Sequence, residues 1–392
     1  MDSMRGMSEV DLQGYLAEAR ELALKEIQAL VPRDEKARRA LYDLILDYPL
    51  RDAKGLRPAL CIAACRAQGG QLQAVTPSAA VLELYHNAFL IHDDIEDQSE
   101  LRRGKPTLHL QHGVPIAVNV GDAMLALALQ PLLDNTRLLG LGRSLRILQS
   151  VAHMVTLSVE GQALELDWIA ARRWDLSDTD YCEMVIKKTG WYSFITPVLV
   201  GAIAAGAPSS AMARLADFAR ALSVGFQIQD DILNLEQGQG EYGKEFAGDL
   251  WEGKRTLILL HALREATPAE RQAAESTLGR PRPRSAVADG AARLSSCMDE
   301  LVAQGQLSPL GREALLSATR DAGSTPVKER SEVDQLLALI QKYGSLQYAR
   351  TCAQRWVDDA AAALREWAAP LEDSQHLRFL FGVLNYVVAR TR

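Results

Sequence analysis

The sequence predicts an all-α protein, and three observations support this fold class. Apolar residues recur at i, i+3 and i+4 along most of the 392 residues, and strict two-residue alternation is nearly absent. Alanine, leucine, glutamate, arginine and glutamine are frequent, and all of them favour helix. No long Ser/Gly linker and no internal repeat divides the chain. We therefore expect one large helical domain over residues 1–392.

The predicted elements follow this pattern from the N-terminus onward. An amphipathic helix begins near Leu12, and another covers 357–367. The loop at 237–244 contains three glycines, which makes motion easy, and we interpret it as a lid. The stretch at about 266–325 is the most irregular, because Gly279–Arg284 alternates arginine with proline. We predict that this stretch is a solvated surface insertion, with a partner-binding motif as the alternative.

Composition and charge exclude several classes of protein. Lys and Arg number 43 against 50 Asp and Glu, a formal net charge of -7, so binding of nucleic acid or anionic lipid by the whole surface is not expected. The apolar run at 198–207 has about half of the roughly 20 residues that a membrane-spanning helix needs. The first thirty residues contain no apolar segment of the secretory kind. We expect a cytoplasmic protein with no membrane span and no nucleic-acid partner.

The first acidic cluster lies at the end of a predicted helix. Asp93, Asp94 and Asp97 occupy positions i, i+1 and i+4. On a helix, Asp93 and Asp97 share one face at about 5–6 Å, a spacing that suits two carboxylates sharing divalent cations. Like charges at this spacing destabilise a helix unless counter-ions are present.

The second cluster repeats this spacing with Asp230, Asp231 and Asn234. The residues before it are apolar or neutral, so the helix is expected to be buried and its aspartates to need partners. Oxygen ligands without His or Cys favour Mg2+ over zinc, and Mg2+ completes its shell with water and phosphate oxygens. Because the chain has no nucleotide-binding glycine motif, the two clusters predict a substrate with a di- or triphosphate that is not a nucleotide.

These two motifs resemble those of the trans-isoprenyl diphosphate synthases, or polyprenyl synthetases, and the chain is most similar to geranylgeranyl diphosphate synthases. The similarity extends from about 15 to 390 and rests on DDxxD at 93–97 and DDxxN at 230–234. The resemblance implies a helical bundle around a central active-site cavity, a homodimer, and three Mg2+ ions per site held by Asp93, Asp97 and Asp230. The catalytic residues that it implies are Asp93, Asp94, Asp97, Arg102, Lys188, Asp230 and Asp231.

The resemblance also implies two substrate sites and Mg2+-dependent head-to-tail condensation of isopentenyl diphosphate with an allylic diphosphate. Several cations around one diphosphate are what an anion without its own metal requires. The implied residues of the isopentenyl diphosphate site are Lys54, Arg57, His86 and Arg103. Those of the allylic site are Arg102, Lys188, Thr189, Gln227, Lys244 and Lys254.

Three residues before the first motif predict the length of the product. In this family, bulky residues one and two turns before the first aspartate close the tunnel for the growing chain. Ala88 opens the first layer and Tyr85 closes the second, which predicts the C20 product geranylgeranyl diphosphate. Phe89 leaves a C15 product open, since an aromatic residue at its position also occurs in farnesyl-type enzymes, and C25 or longer is a further alternative.

Two other functions share some of these features. A class I terpene cyclase has a similar helical fold and one DDxxD motif, but it needs no isopentenyl diphosphate site. A non-catalytic regulatory subunit of a heteromeric synthase tends to lose acids from one motif, whereas this chain keeps both, with Asn234 in place of a final aspartate. Both functions stay as alternatives.

Overall fold

The computed structural model describes residues 11–236, 246–282, 294–302, 304–322 and 327–389. The glycine-rich loop expected to act as a lid, with its Lys244, lies outside these ranges. Helices make up most of the described chain, and the prediction of an all-α fold is confirmed.

The described elements are as follows, in chain order. The first part of the chain contains α1 (Leu12–Leu30), α2 (Asp43–Ile45), α3 (Asp47–Leu50), α4 (Leu56–Ala67), α5 (Leu72–Glu96), α6 (Leu108–His112), α7 (Val114–Leu127), α8 (Leu129–Leu139) and α9 (Leu141–Ala170). The second part contains α10 (Asp178–Val185), α11 (Thr196–Ala205), α12 (Ser209–Glu236), α13 (Gly248–Glu252), α14 (Leu257–Glu265), α15 (Pro268–Leu278), α16 (294–302), α17 (Pro309–Ala322), α18 (Arg330–Lys342), α19 (Ser345–Ala368) and α20 (Gln375–Ala389). Two π-helical segments are Arg38–Tyr42 and Ile186–Ile195, and a short antiparallel hairpin pairs β1 (Leu101–Arg102) with β2 (Lys105–Pro106).

The apolar faces of the helices form two adjacent cores. The first includes the inner faces of α1, α4, α5, α7, α11 and α20, and most of the 25 residues of α5 are buried in or beside it. The second lies between α10, α14, α18 and the C-terminal half of α12. The π segment at 186–195 packs against both α5 and α12. Shared packing therefore fixes the two motif-bearing helices relative to each other.

The segment at 266–325 contains more helix than the sequence analysis expects. Thr267 caps α15 and forms a reciprocal capping box with Glu270, and Pro268 occupies the first helical position, where its missing N–H is tolerated. Leu278 at the end of α15 is buried in the second core. Further helix follows at 294–302 and 309–322. The irregular part of the described segment includes 279–282, where proline prevents helix.

One stretch of the described chain is long and apolar enough to cross a membrane, judged by length and composition alone. It is Val114–Leu139, which comprises α7 and α8 with a turn at Ala128. Both helices pack against α5 on one side, 39% of the stretch is buried, and a single such helix is weak evidence for a membrane span. The sequence analysis considered only the apolar run at 198–207 and did not single out this stretch.

Candidate active site

Both aspartate motifs lie at the C-terminal ends of long helices. Asp97 is the C-cap of α5, and Asp230 and Asp231 lie in the last two turns of α12. The negative end of a helix dipole disfavours carboxylates, so both motifs need compensating positive charge. At the first motif, two lysines contribute to it. Lys188 Nζ is 3.4 Å from Asp93 Oδ1, and Lys254 Nζ is 2.9 Å from Asp97 Oδ2.

These lysines and the second motif line one pocket. Its walls come from α9, α10, the π segment, α12 and the turn after α13. The polar residues that line it are Glu165, Lys188, Thr189, Gln227, Asp230, Asp231, Asn234, Asp249, Lys254, Arg255 and Thr256. Since the same lysines contact Asp93 and Asp97, the pocket lies between the two motifs.

The second aspartate of the first motif faces away from solvent. Asp94 is fully buried and accepts a 2.6 Å hydrogen bond from the Tyr48 hydroxyl. It also accepts a 2.9 Å hydrogen bond from Arg102 Nε. Arg102 in turn reaches to 3.5 Å from Asp93 Oδ2. Asp94 therefore positions Arg102, whereas Asp93 is the more accessible carboxylate.

Asp231 has the corresponding arrangement in the second motif. Its carboxylate is buried and accepts hydrogen bonds from the Tyr181 hydroxyl at 2.7 Å and Gln227 Nε2 at 2.9 Å. Burial raises the pKa of Asp231 well above its usual range, and the nearby Asp249 carboxylate adds to this. The Gln227 oxygen accepts from the Thr189 hydroxyl at 3.2 Å. Asp231 thus orients the amide of Gln227 toward the π segment.

A wide helical turn carries Lys188 into the pocket. The chain is helical from α10 through the π segment into α11 without a break, and π-helical turns inside α-helices often mark functional sites. Gly161 on α9 allows the close approach, because a Cβ there would lie 2.6 Å from Lys188 Cα. Lys188 also pairs with the buried Glu165, one turn further along α9.

Glu165 is a site residue that the sequence analysis missed. Burial opposes its ionisation, but Lys188 and Lys254 hold the pKa of the carboxyl below its usual range. The sequence did contain a signal for it: Gly161 is followed four residues later by Glu165 on an otherwise apolar helix face. The charges of the pocket alternate, so each lysine lies between carboxylates.

The turn that carries Lys254 adds a further carboxylate. Lys254 contacts Glu252 at 2.8 Å as well as Asp97. Burial raises the pKa of Asp97 to about 7, Lys254 opposes this rise, and Asp93 adds to it. The Asn234 side-chain oxygen, expected to be a ligand, accepts a 3.2 Å hydrogen bond from the Asp249 backbone N–H. Asn234 therefore holds the turn at Asp249.

A second cluster is formed by basic residues and brings together Arg57, His86 and Arg103, which the resemblance assigns to the isopentenyl diphosphate site. Arg103 donates to the Tyr48 carbonyl at 3.0 Å, and its guanidinium is 3.5 Å from His86 Nε2. Arg57 donates to the Ser193 hydroxyl at 2.7 Å. Burial, with Arg57 and Arg103 nearby, holds the pKa of His86 well below its usual range, so the ring is neutral near pH 7.

Lys54 lies just before the N-terminus of α4, three residues ahead of Arg57. Its Nζ lies 5.4 Å from the centroid of the Tyr386 ring on α20, within range of a cation–π interaction. Gly55 follows it with φ of 68° and begins α4, so Arg57 lies in the first turn of that helix. The first turn of a helix favours anions because its N–H groups are unpaired.

A buried arginine that the sequence analysis missed holds the β1–β2 hairpin. This hairpin lies between the carboxylate-lined pocket and the cluster of basic residues. Arg51 donates to the carbonyls of Arg102 at 2.9 Å and Pro106 at 2.8 Å. Its Nε donates to Asp47 at 2.6 Å. Arg102 and the following Arg103 contact different partners, the aspartates of the first motif and His86 respectively. Adjacent residues on one hairpin thus serve the two clusters.

The predicted chain-length residues lie on α5 before the first motif. The rings of Tyr85 and Phe89 are 6.1 Å apart, and Phe89 packs edge-on against Tyr192 at 5.4 Å. Ala88 is fully buried. Tyr192 also lies 4.8 Å below the Arg57 guanidinium. This aromatic group therefore adjoins the second basic cluster, and Tyr192 is another residue that sequence reasoning missed.

Comparison with known proteins identifies the family. The polyprenyl synthetase family model matches residues 39–293. A short chain isoprenyl diphosphate synthase from Methanothermobacter thermautotrophicus is 33% identical over 257 residues, covering 63% of this chain and 76% of the relative. A geranylgeranyl diphosphate synthase from Methanosarcina mazei is 34% identical over 238 residues, covering 57% of this chain and 71% of the relative.

Solved structures agree with this result. The polyprenyl synthase from Caulobacter crescentus, determined with calcium and isoprenyl diphosphate, has a TM-score of 0.76 and 26% identity. The match covers 98% of this chain and 100% of that one. Because the family model spans more than half of the sequence, the chain belongs to the polyprenyl synthetase family and is a trans-prenyltransferase of the isoprenyl diphosphate synthase type.

Proposed function

We propose that the protein condenses isopentenyl diphosphate with an allylic diphosphate, head to tail and with Mg2+, to make geranylgeranyl diphosphate. The observation that carries this proposal is the presence of two anion sites of different chemistry side by side. One is lined by carboxylates and lysines, and the other by Arg57, His86 and Arg103. A carboxylate-lined site accepts a diphosphate only together with cations, whereas a basic site accepts it directly.

The residues of the first site fit Mg2+. Their ligand atoms are carboxylate oxygens, which this ion prefers, although no group of three His, Cys, Asp or Glu side chains in the described ranges is arranged as a complete metal site. Burial and the neighbouring Asp93 raise the pKa of Asp97 although Lys254 opposes the rise, so a further cation at this carboxylate would be favourable. In our proposal Asp93, Asp97 and Asp230 hold three Mg2+ ions. When bound, the metal supplies positive charge that stabilises the departing diphosphate.

The remaining residues bind and orient the substrates. Lys188, Lys254 and Arg102 contact the allylic diphosphate, and the positive charge of their side chains favours breaking its C–O bond. The double bond of isopentenyl diphosphate attacks the resulting allylic carbon, a C–C bond forms, and a proton leaves for the released diphosphate.

Gln227 and Thr189 present oxygen atoms to the developing allylic cation, and Asp231 keeps the Gln227 amide in that orientation. Arg57, Arg103 and Lys54 hold the isopentenyl diphosphate, with neutral His86 donating a hydrogen bond. The predicted contribution of Lys244 lies outside the described residues.

The direct test is incubation of purified protein with Mg2+, labelled isopentenyl diphosphate and dimethylallyl, geranyl or farnesyl diphosphate, followed by sizing of the dephosphorylated products. We expect C20 alcohols. Hydrocarbons formed from one prenyl diphosphate without isopentenyl diphosphate would instead indicate a terpene cyclase. Absence of turnover that a partner protein restores would indicate a regulatory subunit.

The proposed product length depends on Ala88 and Tyr85. A small residue at Ala88 leaves room for a chain beyond C15, and the ring of Tyr85 one turn away limits further growth. Tyr85→Ala is expected to lengthen the product to C25 or beyond, and Ala88→Phe is expected to shorten it to C15. A wild-type enzyme that stops at C15, or a Tyr85→Ala variant with unchanged products, would contradict this assignment.

The proposal includes a homodimer. The outer faces of α7, α8 and the start of α9 expose an unusual run of large apolar side chains. They are Val114, Ile116, Val118, Leu129, Leu133, Leu138, Leu141 and Leu145. A continuous exposed apolar face marks an interaction surface. A second copy of the chain is the partner that we propose for it.

A further inference from the structure

The turn that presents Lys254 is short, and its own backbone hydrogen bonds include one from the Lys254 N–H to the Asp249 carbonyl at 2.9 Å. It follows α13, which has only five residues, and a helix of this length is unstable in isolation. Left-handed residues flank it, Ala247 with φ of 56° and Gly253 with φ of 72°. Its last carbonyl groups lack partners within the helix. Other parts of the chain must therefore hold this turn in place.

Lys328 provides that support from behind the pocket. Its side chain is 2% exposed, and its Nζ donates to the carbonyls of Leu250 at 3.0 Å and Trp251 at 2.6 Å. A positive charge at the C-terminal end of a helix is favourable. The backbone N–H of Lys328 donates to the Pro281 carbonyl at 3.0 Å, which fastens the irregular segment at 279–282 to the same place.

Several charged side chains lie between Lys328 and the pocket and contact the turn or one another. Glu252 pairs with Lys254 at 2.8 Å and with Arg282 at 3.9 Å. Arg255 donates to the Gly253 carbonyl and lies 3.7 Å above the Trp174 ring. The turn therefore has one face toward the pocket, where Arg255 also lies, and the other against Lys328.

Burial makes a charged lysine an energetically unfavourable cap for the C-terminal end of a helix. An ammonium group loses much of its hydration when buried, and carbonyl partners compensate less than a carboxylate would. Burial, with Arg255 nearby, lowers its pKa to about 8. A residue with this environment is a candidate for a role beyond packing.

We propose that Lys328 is a positioning residue that holds the α13 turn so that Lys254 faces the allylic diphosphate. The inference rests on the proposed function, in which Lys254 contacts that diphosphate. It also gives a role to part of the chain beyond residue 293, where the family match ends. Without the Lys328 ammonium, the carbonyls of Leu250 and Trp251 lose their partner, and Lys254 loses its fixed place opposite Asp97.

The test compares Lys328→Met, which keeps the apolar stem, with Lys328→Gln, which keeps an N–H donor. Lys328→Met is expected to raise the KM for the allylic diphosphate about tenfold and to leave the KM for isopentenyl diphosphate within about twofold. Lys328→Gln is expected to restore part of the loss. The exposed Lys36→Met serves as the matched control and should not change either constant.

A double-mutant cycle decides whether Lys328 acts through Lys254. In a Lys254→Met background, Lys328→Met is expected to add almost nothing, because the side chain that it positions is already gone. Independent, additive effects, or equal rises in both KM values, would overturn the proposal. Circular dichroism and thermal unfolding show whether each variant folds. If Lys328→Met does not fold, the same cycle is measured with Lys328→Gln.

A binding measurement separates this inference from the proposed function. If the wild type binds inorganic pyrophosphate with Mg2+ but transfers no prenyl group, the proposed function fails while the inference can still be tested. Calorimetric titration should then show weaker pyrophosphate binding by Lys328→Met and no additional loss in the Lys254→Met background. Equal binding by wild type and Lys328→Met would overturn the role of Lys328.

Discussion

At the scale of single residues, a tyrosine hydroxyl supports the second aspartate of each motif. Tyr48 donates to Asp94 and Tyr181 donates to Asp231, and all four side chains are buried. Neighbouring residues on a helix point about 100° apart, so the first two aspartates of a motif cannot face the same pocket equally. One is accessible to cations, and the other organises the side chains around it.

Removal of one such hydroxyl tests this division of roles. Tyr48→Phe leaves the buried Asp94 with one donor fewer, which is expected to lower the free energy of unfolding by about 1–3 kcal/mol. It should also reduce kcat, because Asp94 holds Arg102 less firmly. Urea unfolding and steady-state kinetics measure the two effects. The control is Tyr42→Phe, at the end of the π-helical segment Arg38–Tyr42. An equal loss of stability in this variant would argue against a specific role of Tyr48.

The neutral state of His86 predicts a dependence of stability on pH. Below about pH 6.5 the imidazole takes up a proton in the unfolded chain, whereas the lowered pKa keeps it neutral in the folded one. The unfolded state then binds more protons, so this residue makes stability fall as the pH decreases from 6.5, by at most about 1.4 kcal/mol per pH unit.

Substrate-free protein provides the measurement. Urea unfolding at pH 7 and pH 5 should show a smaller acid-induced loss for His86→Asn than for wild type. The exposed His112→Asn should retain the wild-type difference. If His86→Asn and wild type lose the same stability, His86 is not held neutral in the folded protein.

At the scale of elements, the π segment at 186–195 serves both clusters. Its N-terminal part carries Lys188 and Thr189 to the carboxylate pocket, and its later part carries Tyr192 and Ser193 to Arg57. The wider turn changes which residues face inward relative to a regular α-helix. The close packing of α9 against this segment at Gly161 is therefore a requirement for the site.

Two separate glycine-to-alanine substitutions on α9, compared with each other, test this requirement. In Gly161→Ala the new Cβ would lie 2.8 Å from the Lys187 carbonyl carbon, so the segment must shift. We expect a loss of about 1–3 kcal/mol in unfolding free energy, as for other overpacked sites, and a fall in kcat/KM for the allylic substrate. Gly142→Ala on the same helix meets no heavy atom within 4 Å and should be neutral or slightly stabilising. Equal effects of the two substitutions would contradict the packing explanation.

At the scale of the whole molecule, the described residues form two cores and leave an apolar face uncovered on α7, α8 and α9. The two cores meet along α12 and α19, so helices distant in sequence close around the pocket. The uncovered face lies on α7, α8 and α9, and α7 and α8 pack directly against α5. A dimer through this face would place the partner subunit against the helices that pack on α5, the helix that carries the first motif.

Charged substitutions on this face test the dimer. Leu133→Glu with Ile116→Glu is expected to reduce the mass in solution from twice the 43.0 kDa chain mass to a single chain, because buried charge opposes association. Size-exclusion chromatography with light scattering gives the mass. The control is Leu310→Glu on α17, which is 80% exposed and lies in another part of the chain. A wild-type monomer, or a double variant that stays dimeric, would contradict the proposed interface.

The helical class and the two aspartate motifs were accessible from sequence, because helical periodicity and motif spacing are local properties. The residues of the basic cluster came from the resemblance to the polyprenyl synthetases. Less local features were missed. Tyr48 and Asp94 are 46 residues apart, and Tyr181 and Asp231 are 50 apart, so no spacing rule pairs them. The helix α15 was missed because the prolines at 281 and 283 led the whole stretch from about 266 to be interpreted as irregular, although Thr267 and Pro268 are favourable at a helix start.

The sequence by itself determined what kinds of groups the protein carries: two sets of acids at helical spacing, basic residues that match a diphosphate, and enough apolar surface for a large helical core. The tertiary structure alone decided how each group is used. Packing buries Asp94 and Asp231 while leaving Asp93 more accessible, and it brings Glu165 against Lys188 and Lys328 behind Lys254. The reason is physical, since burial and charge pairing depend on neighbours in space that lie far apart along the chain.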